Sequence, residues 1–129
     1  MAYDVDIEVQ EETVDASKII RTLGTFATQD QVPRVLAQES YRHAFSQKRR
    51  GFVDWGLTDW PGMLPDSKVW CAAAEATVLG DPVAGPVLGG ATFTMNQVVP
   101  MIGRIKFRLF IQSSEPVPLL MDFWVIHFV

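Results

Sequence analysis

A chain of 129 residues that is 48% hydrophobic and 20% charged has enough apolar material for one core and is too greasy for intrinsic disorder. Its net charge of −4 argues against nucleic-acid or membrane binding over the whole surface. The single cysteine, Cys71, rules out an internal disulfide framework, so a reducing, cytoplasmic setting is expected.

Residues 1–129 read as one domain, with 1–12 an acidic edge strand or arm. Tyr3-Asp4-Val5-Asp6-Ile7-Glu8-Val9 alternates apolar and acidic side chains, the pattern of a strand with one buried and one wet face. Its carboxylates would repel a like strand, which suits an edge. From Thr13 to about Phe26 the spacing of Val14, Ile19, Ile20 and Leu23 predicts a helix closed by Gly24. Asp30 as N-cap with Pro33 in the first turn predicts a second helix running to about Lys48. Gly51, Gly56, Pro61, Gly62 and Pro65 mark 51–66 as an ordered loop.

The next segment, Lys68 to Leu79, carries conflicting signals. Its alanines favour helix, whereas Val69, Trp70, Cys71, Thr77 and Val78 favour strand; the strongly β sequence that follows tips the reading to strand. Strands are then predicted over Val87–Val99, Ile102–Gln112 and Val117–Val129. The middle one is clearest: Ile105, Phe107, Leu109 and Ile111 face the core while Lys106 and Arg108 face out. The last is apolar at nearly every position, as expected of a strand covered on both faces within the monomer or by a neighbour. The run is too short and too interrupted by Asp122 and His127 to span a bilayer, and no leader pattern opens the chain, so a soluble protein is expected.

The expected fold class is α+β, an N-terminal strand and two helices packed on a C-terminal antiparallel β-meander. Cystatin-like and nuclear-transport-factor-like folds have a similar order, an analogy of fold that implies no activity.

The candidate working surface is the segment Lys48–Met63. Three cations, Lys48, Arg49 and Arg50, run into Phe52 and two Asp-Trp pairs, Asp54-Trp55 and Asp59-Trp60. The indoles can pack under the fold, anchor an interface or, with Trp70 and Phe93, line a pocket for a small apolar ligand. The cations can oppose a helix dipole or meet an acidic partner. His43 with Asp54 or Asp59 are the candidate proton-transfer groups. Cys71, His127 and Asp122 have the residue types of a nucleophile triad, but Asp122 and His127 point to opposite faces of one strand; Cys71 reads as a buried structural thiol and His127 as a core or interface histidine. No spacing suits a metal or a cofactor, and none is expected.

Two functions follow. The first is a non-enzymatic, self-assembling structural or interaction protein, a homo-oligomer or protein partner whose acidic arm meets the basic run. The second is a small-molecule-binding or isomerase/lyase-type pocket protein with a helix-on-sheet cavity. Nucleic-acid and membrane partners are not expected.

Overall fold

The computed structural model describes residues 10–27 and 33–128. Over these residues the chain forms β1 (Gln10–Thr13), a 3-10 turn (Ala16–Lys18), β2 (Ile20–Ala27), β3 (Pro33–Ala44), β4 (Gly51–Thr58), β5 (Lys68–Ala76), β6 (Pro86–Val87), β7 (Thr92–Met101), β8 (Arg104–Gln112) and β9 (Leu119–Phe128). The first sheet has the order β1-β4-β8-β7 and the second β2-β3-β9-β5-β6. Pairing is antiparallel throughout except between β1 and β4, which run parallel. No helix among the described residues is long and apolar enough to cross a membrane.

The inner faces of the two sheets enclose one core. Trp55, Leu57, Phe107 and Leu109 come from the first sheet and Tyr41, Met121, Phe123 and Val125 from the second. Ring contacts stitch the layers together: Phe107 meets Phe123 at 5.5 Å between centroids, and Phe45 meets Trp55 edge-on at 5.1 Å.

This β-sandwich corrects the expected α+β fold. Where a helix was expected over 13–26, Asp15 caps only the short 3-10 turn, its Oδ1 accepting from the Ser17 N–H at 3.1 Å, and the chain enters β2 at once. Ile20 and Thr22 are β-branched, and their pairing with Ser40 and Gln38 on β3 outweighs an approximate helical spacing. The second expected helix is β3. Its inward face carries Ala37, Glu39, Tyr41, His43 and then Phe45, all buried, while Gln38, Ser40 and Arg42 are exposed. Two polar residues on the buried face disguise the period of two.

The first half of the expected loop 51–66 is strand as well. Val53, Trp55 and Leu57 of β4 point into the core while Phe52 and Asp54 lie on the other face. The connecting loop begins only at Asp59, which takes a left-handed conformation with φ 57. The ambiguous 68–79 segment is strand over Lys68–Ala76. The acidic alternation Tyr3–Val9 lies outside the described residues.

Candidate functional site

The residues singled out from sequence do not form one site. Trp55 and Trp60 are covered by their own chain. Arg49 stacks on Trp55, its guanidinium carbon 4.6 Å from the ring centroid, and Arg50 donates to the Ser114 carbonyl at 2.7 Å, while Lys48 is exposed. Phe52 and Asp54 lie on the outer face of the first sheet, where Phe52 pairs with Phe110 at 4.8 Å and Asp54 binds Arg108 Nε at 2.5 Å. That carboxylate raises the Arg108 pKa above the ordinary guanidinium range.

The proton-transfer candidates are likewise separated. His43 is buried on the inner face of the second sheet with Glu12 Oε2 2.7 Å from its Nε2, yet that nitrogen makes no aligned hydrogen bond among the described residues, so the contact is one of charge and proximity. Burial lowers the His43 pKa and the Glu12 carboxylate partly restores it. Asp59 is exposed in the loop. Of the acidic segment's described residues, Glu12 lies against His43 and Glu11 pairs with Arg104 at 3.0 Å.

Sequence reasoning missed a buried polar chain. Trp60 Nε1 donates to Glu39 Oε1 at 2.9 Å; the same oxygen lies 2.5 Å from His127 Nε2; His127 Nδ1 lies 2.6 Å from Ser67 Oγ; and Ser67 Oγ accepts the Leu64 N–H at 3.0 Å. With the Ser67 hydroxyl donating to His127 Nδ1, the ring proton sits on Nε2, toward Glu39. These are the residue types of an acyl-transfer triad, but Glu39, Ser67 and His127 are each sealed from solvent. The arrangement ties the 59–67 loop to β3 and β9.

An exposed apolar row lies on the outer face of the second sheet. β9 is its central strand, and Trp124 stands in register with Trp70 on β5 and with Ser40 on β3, which in turn faces Ile20 on β2. The two indoles sit 5.5 Å apart with their planes 41° apart. Trp70 is 51% exposed, Trp124 50% and Ile20 70%. One row along, Arg42, Asp122 and Ala72 are in register. Arg42 grips Asp122 with both arms, Nε to Oδ1 at 2.6 Å and Nη2 to Oδ2 at 3.0 Å, which raises its pKa.

Because Ser40 and Ala72 are small, a groove of about 690 Å³ opens between them, bordered by Trp70, Trp124, Ile20, Lys18 and the Arg42–Asp122 pair. The third arm of Arg42 reaches the Pro82 carbonyl at 3.4 Å, so the 77–85 loop stands at the groove's rim. Trp70 was visible from sequence. Trp124 and Ile20 were not, although the alternation of Asp122, Trp124 and Ile126 against Met121, Phe123 and Val125 marks the two faces of β9.

The fold and surface define a two-sheet β-sandwich whose second sheet leaves a tryptophan pair half-exposed on its outer face. Comparison with known proteins finds no matching family model, no matching curated protein and no matching solved structure.

Proposed function

We propose that this chain is a non-enzymatic assembly subunit that docks the outer face of its second sheet onto a second copy of itself. The supporting observation is the Trp70–Trp124 pair, half-exposed on the two strands β5 and β9 rather than at a fraying edge. Tryptophan and arginine dominate binding hot spots, and this face presents two indoles beside a bidentate Arg42–Asp122 pair. Covering the remaining half of each indole would contribute about 2 kcal/mol per ring at roughly 25 cal/mol per Å². On the outer face of the last strand Trp124 stays half-exposed, which supports a neighbour as its cover.

A protein partner is favoured over nucleic acid because Arg49 and Arg50 are engaged within the chain. The free thiol of Cys71 supports a reducing, cytoplasmic setting.

Sedimentation of the whole chain over a range of concentrations tests this reading. A concentration-dependent oligomer is expected, reduced to monomer by the double change Trp70→Ser with Trp124→Ser. A wild-type chain that stays monomeric at every concentration would overturn it.

A second reading rests on the groove's volume, which lies in the range of ligand pockets, about 300–1,000 Å³. Here a small apolar molecule would occupy the same groove, without the helix-on-sheet cavity expected from sequence. A monomer whose tryptophan fluorescence is saturably quenched by such a molecule, and not after Trp124→Ser, would favour it.

A further inference from the structure

Resting on assembly through this face, we propose that the contact is reciprocal: the Val83 tip of each copy enters the Trp70–Trp124 groove of the other, about a two-fold axis passing beside Arg42. Both halves of such a contact are present on one chain and adjoin each other, as a self-complementary two-fold interface requires. Arg42 marks the junction, holding Asp122 at the groove rim and the Pro82 carbonyl at the base of the tip.

The tip is built as a rigid projection. Thr77 N–H donates to the Gly85 carbonyl at 2.9 Å and closes the loop, Asp81 N–H donates to the Val78 carbonyl at 3.2 Å, and the Asp81 side chain accepts the Val83 N–H at 2.8 Å. Pro82 restricts the backbone between them. The result holds an aliphatic side chain 90% exposed on an ordered turn. Little conformational freedom remains to be lost when it docks.

The groove admits the tip, and its charges complement it. The floor is made by the small Ser40 and Ala72, so a branched aliphatic group can enter between the indoles and Ile20. Lys18 stands at the groove wall and Asp81 at the base of the tip. Exchange about the two-fold brings Lys18 of each copy toward the partner's Asp81, opposite charges on both sides of the axis. The Arg42–Asp122 pairs then meet antiparallel, each cation facing the other copy's anion.

Mixing two variants in analytical ultracentrifugation tests the reciprocity. Val83→Glu keeps the groove and removes the knob; Trp124→Ser keeps the knob and damages the groove. Each alone should associate at least tenfold more weakly than wild type, with urea midpoints showing that each is folded. Mixed, they should form a heterodimer, because both defects then fall in one of the two contacts and the other stays intact. If the mixture remains monomeric, or if Val83→Glu assembles as tightly as wild type while Trp124→Ser does not, the knob is wrong although docking through the aromatic face stands. A monomeric wild type would overturn both.

Discussion

Glu39 and His127 meet in the sealed space between the two sheets, carboxylate Oε1 2.5 Å from imidazole Nε2. Neither residue type is at home in a core, and both are there because each satisfies the other. Trp60 supplies a second donor to Glu39, and Ser67 completes the histidine. A buried polar group that keeps its partners costs little; one that loses a partner bears the whole desolvation penalty.

Removing one member of this chain should therefore destabilise the fold well beyond its size. Ser67→Ala leaves the Leu64 N–H and His127 Nδ1 unpaired and should cost about 1–3 kcal/mol. Glu39→Ala strands two donors and should cost about 3–5 kcal/mol. Urea unfolding measures both, and the double variant should lose less than the sum because the groups act as one network. A loss under about 0.5 kcal/mol for Glu39→Ala would mean that the network carries no structural weight.

The four tryptophans should divide into two classes. Trp60→Ala opens a cavity in the core and should cost about 3–5 kcal/mol of stability. Trp124→Ala, on the outer face, should change the unfolding free energy of the isolated chain by far less while abolishing self-association. Equal destabilisation by both changes would contradict the division into core and surface rings.

Acid should weaken the fold through His43. Burial lowers its folded-state pKa below the ordinary imidazole value of about 6.5, so the unfolded chain binds the proton more readily. The contribution of neutral His43 is thus fully present above about pH 6.5 and is lost as the pH falls below it. Glu12, the carboxylate facing the ring, opposes the shift without reversing it. Urea midpoints measured from pH 7.5 to 5.5 should fall, and His43→Gln should flatten the fall. An unchanged slope in that variant would assign the acid sensitivity elsewhere.

Cys71 should be slow to react. Burial pushes its thiol up to about 11, so almost no thiolate exists near neutral pH. Alkylation by iodoacetamide at pH 7.5, followed by mass spectrometry, should be at least tenfold faster in denaturing urea than in the native protein. Rapid native labelling would show that the thiol is reachable and activated.

The most local features were readable from the chain. Ile105 to Ile111 alternates cleanly because every inward residue is apolar and its outward neighbours Lys106 and Arg108 are charged; the turn at 113–116 follows from Ser, Glu and Pro. β3 and β4 were misread for opposite reasons. In β3 the buried face includes Glu39 and His43, whose partners lie 21 residues away at Trp60, 88 residues away at His127, and on β1 at Glu12. In β4 the glycines at 51 and 56 imitate a loop, although Gly51 only enters the strand with φ 73 and Gly56 sits paired opposite Lys106. Glycine and buried polar groups weaken every local signal, and only distant pairing restores it.

The sequence by itself determined that a core would form, that the C-terminal half would be strands, and that Cys71 has no partner for an intrachain disulfide. Only the tertiary structure decided which aromatic rings are covered. Trp55 and Trp60 lie under the opposing sheet, whereas Trp70 and Trp124 stand half-exposed on the outer face of the second sheet. A strand's alternation sorts side chains onto two faces but does not say which face another layer will cover. That choice belongs to the packing of one sheet on the other, through contacts between residues far apart in the chain.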